Sequence, residues 1–529
     1  MMPGWCHIEA RSLRPETWKM NATAPFLTDP SPPMSPGRRR LLLVSGMLTV
    51  MLYFTTIMVV TSIMPQIQGA MSATADEVSW IITFNLIATA IATPMTGWLV
   101  TRFGRKRSMC TCIAGFGVAT LMCGLSQSLE ELIVWRILQG AFGAPTLPLN
   151  QTVILDTYPK DKLRFAMGAT GMGSVVGPVI GPAMAGWLAE TYSWRFAFYI
   201  LVPVTAAALA GIAIALRADQ SEERVRFDWT GFLSLSVCVG SLQYVLSRGQ
   251  RLDWFDSGEI IICTMMAALA FWVFLTHSLT TDNPFLDLSL FLNRNLTLAY
   301  ILHSIFGMLA FTPMVLLPTL LRQHADYPDA LVGWIVGSRG VGGILGFFAA
   351  MWLEKLDPRV PIASGFGMLL LSGLWLMRMN LEVTPLEIML NGTLQGFSVG
   401  IVVVPLMMVA FADLDQHARP AATSVFHLLR NVASGFFISF SVAEVVRSTG
   451  VNYARMAEMI SDYNKALTMP WVLGAWDLSS VQGLMRLSKE VARQSAMIGY
   501  LNAFGWFTLF AALALPFSLL IRPPKDVPR

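Results

Sequence analysis

The chain has 529 residues, of which 54% are hydrophobic and 13% charged, with a formal net charge of +4 at pH 7. This is more apolar surface than one soluble core could bury, so the composition excludes an ordinary soluble protein. We expect an all-α integral membrane protein without a nucleic-acid partner, because lipid cannot satisfy the open backbone groups of other structures.

The chain begins with a polar stretch. Residues 1–40 are rich in Pro, Ser and Thr and end at Arg38–Arg40, which predicts a disordered cytoplasmic tail. The first apolar run, residues 41–64, is longer than the hydrophobic region of a signal peptide and has no small-residue cleavage site behind it. We therefore interpret it as the first membrane span.

Apolar runs of about 18 to 24 residues recur along the chain, each long enough to cross a hydrocarbon core. Six form a first block, at 41–64, 79–100, 108–126, 131–154, 164–188 and 195–216. Two follow at 228–247 and 257–277, and six more at 297–321, 330–353, 360–378, 385–411, 420–444 and 497–521. The prediction is fourteen transmembrane helices: an N-terminal bundle over 41–216, two extra helices with linkers over 217–296, and a C-terminal bundle over 297–521.

Basic residues set the predicted orientation, because short cytoplasmic loops hold an excess of Lys and Arg. Alternate loops carry them: Arg38–Arg40, Arg102, Arg105–Arg107, Lys160, Lys162, Arg164, Arg217, Arg224, Arg226, Lys355, Arg359, Arg522 and Lys525. Both termini, including the tail 522–529, are predicted to be cytoplasmic. The long loop 447–496 is then external.

The loop after the second span reads GWLVTRFGRKR, residues 97–107, and resembles the signature of the major facilitator superfamily. In that family an acid commonly occupies the fifth position and a basic cluster closes an intracellular gate. Thr101 stands at the acid's position, so Arg102 or Arg105 would need another partner. The candidate gate residues are Gly97, Thr101, Arg102, Gly104, Arg105 and Arg107.

The fourth span contains Arg136, which is costly in lipid unless it faces partners or water. Either it faces the bundle interior or its side chain snorkels to the outer interface. With Gln139 and Gly140 it also matches an R-x-x-Q-G motif of the superfamily, and this resemblance implies a role for Arg136 in proton transfer.

The fifth span reads GMGSVVGPVIGP over residues 171–182. Gly173, Gly177 and Gly181 recur every four residues and form a stripe on which another helix can pack closely. Pro178 and Pro182 remove backbone donors and predict a bend. Together with residues 186–204, this segment resembles the antiporter motif of proton-driven exporters, where such packing is thought to prevent proton leak.

Residues 316–346 and 425–440 resemble the fourteen-helix drug:proton antiporters, the EmrB/QacA subfamily, and the resemblance covers roughly residues 40–522. It implies the major facilitator fold, two six-helix bundles plus two extra central helices. The chain departs from this branch in the first span, where Thr56 replaces an Asp that many members carry. Proton coupling then needs another group, or the substrate is recognised differently.

Few titratable residues remain inside the spans. His303 and His427 are candidates for proton coupling, with a structural role as the alternative. Asp156 lies near an interface, where a solvated anchor is the better interpretation.

Arg339 either holds the two halves together or binds an anionic substrate group. Polar residues that could line a cavity, or bond helix to helix, are Asn85, Asn150 and Gln151.

We therefore predict a proton-driven exporter of amphipathic drugs or toxic organic compounds, working by alternating access in the inner membrane without a cofactor. One alternative is export of a specific metabolite such as an organic acid or siderophore, and another is a membrane sensor without transport. An enzyme is not expected, because no H-E-x-x-H or phosphate-loop motif occurs and the one G-x-S-x-G match, residues 396–400, lies inside the predicted span 385–411. The resemblance also makes loop 447–496 a candidate contact for a periplasmic membrane-fusion adaptor that works with an outer-membrane channel.

Overall fold

A computed structural model describes residues 34–522, apart from 218–226, 282–283, 326, 354–356, 413, 416–417, 462, 466, 468, 470–475 and 477. The predicted tails, except residues 34–40 and Arg522, lie outside the described residues, as do Arg224, Arg226, Lys355 and Lys525.

The described part of the chain is helical, and its α-helices are labelled here in chain order. They are α1 Pro36–Ala70, α2 Ala75–Ala92, α3 Thr96–Phe103, α4 Arg105–Leu125, α5 Leu129–Gly143, α6 Thr146–Thr157, α7 Lys160–Thr191, α8 Phe196–Tyr199, α9 Leu201–Ala215, α10 Trp229–Arg248, α11 Gly258–Thr280, α12 Arg294–Gln323, α13 Asp329–Trp352, α14 Arg359–Leu376, α15 Pro385–Phe411, α16 Arg419–Ala457 and α17 Val481–Leu519. Short 3₁₀ turns occur at Thr93–Met95, Gly249–Leu252, Trp254–Asp256 and Leu288–Leu292.

Thirteen helical stretches in the described residues are long and apolar enough to cross a membrane. The fourth predicted span is broken into α5 and α6, of 15 and 12 residues, and Pro145 lies at the break. The second span is likewise interrupted, at the 3₁₀ turn that contains Pro94. Proline removes a backbone donor and so explains both interruptions.

Two helices extend far beyond the predicted spans. Helices α16 and α17 each have 39 residues, or about 58 Å at 1.5 Å per residue, against a hydrocarbon core of about 30 Å. They pair through Asn502 Nδ2, which donates to Ser448 Oγ at 2.7 Å, and through the hydroxyls of Tyr453 and Ser488 at 3.0 Å. The predicted loop 447–496 is therefore partly a helical hairpin, and we name this side of the molecule the hairpin end.

The opposite side carries Arg39, Arg105, Arg359, Arg419 and Arg522, and we name it the basic end. Helices α1–α9 form one bundle and α12–α17 the other. Helix α10 packs against α2, α11 and α16, so the extra pair lies beside both bundles.

The bundles meet along α7, which packs against α13 and α15. Gly343 and Gly340 of α13 face Val175 and Val179 of α7, and a Cβ on either glycine would lie 2.5 Å from a valine methyl. Nearer the basic end, Gly171 lies against the ring of Phe347 in the same way. The close approach between the bundles therefore runs from their middle towards the basic end.

Candidate functional site

A cavity of about 90 Å³ lies between the bundles, with walls from α1, α6 and α7 on one side and α12, α13, α15 and α16 on the other. Most of its lining is apolar, including Val50, Phe54, Leu147, Met167, Val175, Phe306, Phe311, Met314, Val399 and Met407. Polar and charged groups also line it: Asn150, Gln151, Thr170, Ser174, His303, Arg339, His427 and Arg430. An apolar wall with a few polar groups is typical of small-molecule sites.

Arg430 of α16 lies where the first span meets α12. Its guanidinium carbon is 5.8 Å from the ring centroids of Phe54 and of Phe311. These two rings stack 6.3 Å apart, one from each bundle. The contacts are within the range of cation–π attraction. Gly307 makes room for the side chain, because a Cβ there would lie 2.5 Å from Arg430 Cγ.

Arg339 of α13 is held by neutral acceptors of its own bundle. It donates to Gln395 Oε1 at 3.0 Å and to the carbonyl oxygen of Ala310 at 2.5 Å. It therefore connects α12, α13 and α15, and these hydrogen bonds do not hold the two halves together as one interpretation expected. The other role, binding an anionic group, fits the position of Arg339 in the cavity wall.

The two candidate histidines lie together in the cavity wall, with ring centroids 5.7 Å apart. His303 stacks on Phe426 at 3.6 Å. His427 is 2.6 Å from Gln151 Oε1 through its Nε2 atom, and this hydrogen bond joins α16 to α6 across the bundles. The structure thus brings His303, His427, Gln151 and Arg339 to one cavity.

Arg136 and Asn85 lie elsewhere. Arg136 is 1% exposed inside the N-terminal bundle, where it donates to Gln139 Oε1 and approaches the Thr56 carbonyl oxygen at 3.5 Å. Asn85 Nδ2 donates to the Arg136 carbonyl oxygen at 2.8 Å. The interior position of Arg136 excludes snorkelling to the interface. Asn85 is not among the residues that line this cavity, and its amide bonds helix to helix, as the alternative interpretation expected.

The candidate gate loop, residues 97–107, packs against the C-terminal bundle at the basic end. Thr101 donates to the carbonyl oxygen of Gly97 in its own helix and is exposed. Arg105 instead lies 2.8 Å from Asp156 Oδ2. A Cβ on Gly97 would lie 3.3 Å from Ala421 Cα of α16. Arg102, Gly104 and Arg107 belong to the same loop, where Gly104 adopts a φ of 77° that favours glycine.

Asp156 is the acidic partner of Arg105 in the gate loop. Its side chain is 5% exposed and also accepts a 2.7 Å hydrogen bond from Arg419 of α16. The interpretation of Asp156 as a solvated anchor is therefore wrong. Arg419 and Arg430 were not identified from the sequence, although Arg430 lies in segment 425–440, which resembles the subfamily, and a charge inside a span was a usable signal.

The glycines of α7 pack on α1. A Cβ on Gly173 would lie 2.5 Å from the Met47 carbonyl oxygen, and one on Gly177 would lie 2.5 Å from that of Met51. At Gly181 the distance to Thr55 would be 3.2 Å. Pro178 and Pro182 stand inside the helix, and Pro178 lines the cavity. The stripe expected from the spacing thus packs against α1, while neighbouring residues of the same helix, such as Val175 and Pro178, line the cavity.

Two helical bundles around a central cavity, closed at one end, define a multi-pass membrane transporter. The sequence profile of the Major Facilitator Superfamily matches residues 46–438. The multidrug export protein EmrB of Haemophilus influenzae is 29% identical over 493 residues, covering 92% of this chain and 96% of that protein. EmrB of Escherichia coli is 31% identical over 465 residues, covering 85% and 89%.

Among solved structures, that of the human organic anion transporter MFSD10 (TETRAN) aligns with a TM-score of 0.56 and 12% identity, covering 89% of this chain and 99% of that one. This likeness concerns the fold alone. The chain belongs to the Major Facilitator Superfamily, in the branch of the EmrB multidrug export proteins. The family and fold expected from the sequence are confirmed.

Proposed function

We propose that the protein exports amphipathic drugs or toxic organic compounds from the cytoplasm in exchange for protons. The observation that carries this proposal is the apolar cavity between two bundles whose contacts are concentrated at the basic end. The names of its EmrB relatives, multidrug export proteins, support the substrate class. The volume of about 90 Å³ is below the 300–1,000 Å³ typical of drug-sized sites, so substrate binding requires the cavity to widen.

The basic end faces the cytoplasm and both termini lie there, in the inner membrane. The concentration of arginines at that end supports this orientation through the positive-inside rule. The contacts of Asp156 with Arg105 and Arg419 then correspond to a closed cytoplasmic gate. Opening that gate and closing the opposite side is the alternating access that transport requires.

His303 and His427 bind the transported proton. Both line the cavity, and histidine changes charge near neutral pH. The hydrogen bond of His427 to Gln151 joins the bundles, so a change in the protonation of this ring alters a contact between the moving halves. Arg136 acts inside the N-terminal bundle, as a support for the first span rather than as a cavity group.

The helical hairpin of α16 and α17 contacts a periplasmic adaptor, which leads the substrate to an outer-membrane channel. Exposed apolar side chains near its tip support this partner, including Val451, Met459, Val481, Leu484 and Met485. Site-specific crosslinking from Met485 in cells tests the contact. A crosslinked protein that is not an envelope adaptor would contradict it.

The experiment for the transport activity uses purified protein in liposomes that contain a pH-sensitive dye. Lipophilic compounds of each charge are added under an imposed proton gradient. Substrate-dependent proton flux supports the proposal, as does its loss in His427→Asn with Cys110→Ala as the control. Substrate movement without any proton flux would overturn proton coupling.

A further inference from the structure

The described lining of the cavity is cationic. Arg339 and Arg430 contribute two guanidinium groups, whereas Asp and Glu are missing from the described residues that line it. Neither arginine forms an ion pair with a carboxylate of the described chain. A buried charge without a counter-charge is costly, so this lining favours a ligand that brings the missing negative charge.

Arg430 is the better placed of the two arginines. The hydrogen bonds of Arg339 go to Gln395 and Ala310, on two neighbouring helices. Arg430 donates from Nε and Nη2 to the side chain of the adjacent Asn431, at 3.3 and 2.8 Å, while its Nη1 makes no hydrogen bond to a described residue. The side chain is 6% exposed, so few of its donors meet solvent. Arg430 therefore has a donor available for a ligand.

Unpartnered polar atoms surround the same cavity. Both ring nitrogens of His303, the Nδ1 atom of His427 and both amide atoms of Asn150 are buried without a hydrogen-bond partner in the described chain. These residues are 2%, 2% and 0% exposed, and all three line the cavity. Buried polar atoms normally have partners, so the cluster indicates a polar group supplied by water or ligand.

We propose that the cavity binds amphipathic organic anions, with a carboxylate or sulfonate head group on Arg430 and the apolar body against Phe306, Phe311, Met314 and Met407. The assignment rests on the proposed export function and names its substrate class. A guanidinium forms its strongest hydrogen bonds with planar or tetrahedral anions, and His303 and Asn150 offer further donors to the head group.

A lipophilic cation fits this lining poorly. Its charge would lie beside two guanidinium groups and would find no described carboxylate in the wall. Thr56, at the position where many relatives carry an Asp, donates to the carbonyl oxygens of Leu52 and Tyr53 in its own helix. The first span therefore supplies no negative charge to the cavity at this position.

The test compares two probes with the same naphthalene body. 1-Naphthalenesulfonate is a permanent anion and 1-naphthyltrimethylammonium a permanent cation, and each is titrated onto the full-length protein in lipid nanodiscs. We expect the anion to bind at least roughly 10-fold more tightly, because one charge-assisted hydrogen bond accounts for such a ratio. Equal or tighter binding of the cation would overturn the proposal.

Substitutions in the cavity test where the anionic head group of the ligand binds. Arg430→Gln should weaken anion binding about 10-fold or more, whereas Arg430→Lys should retain part of it, since it keeps the charge. Arg486→Gln is the control, because Arg486 is exposed on α17 and its loss changes the net charge equally. If Arg430→Gln fails to fold, His303→Phe provides the test: it keeps an aromatic ring on Phe426, removes both nitrogens and should still weaken the anion several-fold. Unchanged affinity in a folded Arg430→Gln protein would refute the site.

Transport measurements distinguish a failure of the anion site from a failure of the proposed export function. When a monovalent anion leaves and a proton enters, both movements make the inside more positive, so an inside-negative potential should accelerate this exchange. Exchange of a monovalent cation for one proton is electroneutral. Arg430-dependent anion binding without any proton flux would uphold the anion site and refute proton-driven export. Proton exchange with the cation alone, without anion binding, would uphold proton-driven export and refute the anion site.

Discussion

Arg419 on α16 donates a 2.7 Å hydrogen bond to Asp156 on α6, so a single buried carboxylate ties the C-terminal bundle to the N-terminal one. The other oxygen of the same carboxylate lies 2.8 Å from Arg105, which belongs to the gate loop. One carboxylate thus pairs with two arginines, one from each half. We therefore expect the closed state at the basic end to depend on the charge of Asp156.

Asp156→Asn should open this end. The substitution keeps the size of the side chain but removes the charge that both arginines require, which should cost the closed state about 1.5–3 kcal/mol, or roughly 10- to 150-fold in population. A cysteine at Thr423, which is fully buried one turn behind the gate, reports opening through its reaction with an impermeant maleimide in a background without native cysteines. The reagent is applied from the side of the basic end.

Two variants control this measurement. Asp156→Glu keeps the charge, so the cysteine at position 423 should react slowly with the maleimide. Asp357→Asn removes an exposed carboxylate from the same end without touching the gate. Equal labelling in Asp156→Asn and Asp357→Asn would show that the ion pairs do not hold the gate.

The glycine stripe of α7 should tolerate substitution only where α1 is distant. Gly177→Ala places a Cβ 2.5 Å from the Met51 carbonyl oxygen, and Gly173→Ala does the same at Met47, whereas Gly186→Ala meets nothing within 4 Å. Overpacking of this kind costs about 1–3 kcal/mol. The melting temperature in detergent should fall for the first two variants, and liposomes containing them should leak protons.

Gly186→Ala is the matched control on the same helix, and Gly181→Ala, at 3.2 Å from Thr55, should give an intermediate effect. A uniform effect of all four substitutions would assign the glycines to helix flexibility rather than to close packing.

The span count and the family were predictable because both depend on local signals. A run of apolar residues fixes a membrane helix, and the glycine spacing of α7 fixes which face can approach α1. Helix ends were less predictable. The polar residues of 447–457 and 481–496 read as a loop, but they continue α16 and α17 beyond the membrane, where polar side chains are suited to water.

The site was only partly predictable, because its contacts join residues far apart in the chain. Asp156 and Arg419 are separated by 263 positions, and nothing near Asp156 in the sequence indicates its two partners. The sequence does not distinguish Arg136 from Arg339, because each is a single charge inside a predicted span. The fold places the first inside a bundle and the second in the cavity wall, and only packing decides that difference.

Arg136 should affect stability more than ligand binding. Its guanidinium bonds Gln139 and approaches Thr56, and it does not line the cavity. Arg136→Lys loses the forked geometry and should lower the melting temperature of the protein. The folded fraction, measured in nanodiscs, should bind a naphthalene probe with wild-type affinity. A large loss of affinity in folded Arg136→Lys would instead place this residue in the binding site.

Asp228 should make stability depend on pH at the basic end of the extra helix pair. Burial alone would raise the pKa of its carboxyl, but hydrogen bonds from Gly231, His277 and Phe285 together lower the pKa below the usual 3.8. A lowered pKa means that the carboxylate stabilises the folded state fully above about pH 4, and that this contribution is lost as pH falls through the lower folded value. Asp228→Ala should cost about 1 kcal/mol at neutral pH, because it also removes the cap of α10.

The measurement is the difference in melting temperature between the wild-type protein and Asp228→Ala in one detergent, from pH 6 to pH 3. That difference should be constant down to about pH 4 and then shrink, because the wild-type carboxylate becomes protonated. Asp228→Asn retains a capping side chain without the charge, so it should lose less stability than Asp228→Ala at neutral pH. A difference that grows as the pH falls would mean that the protonated carboxyl, rather than the carboxylate, stabilises this junction of α10, α11 and the following linker.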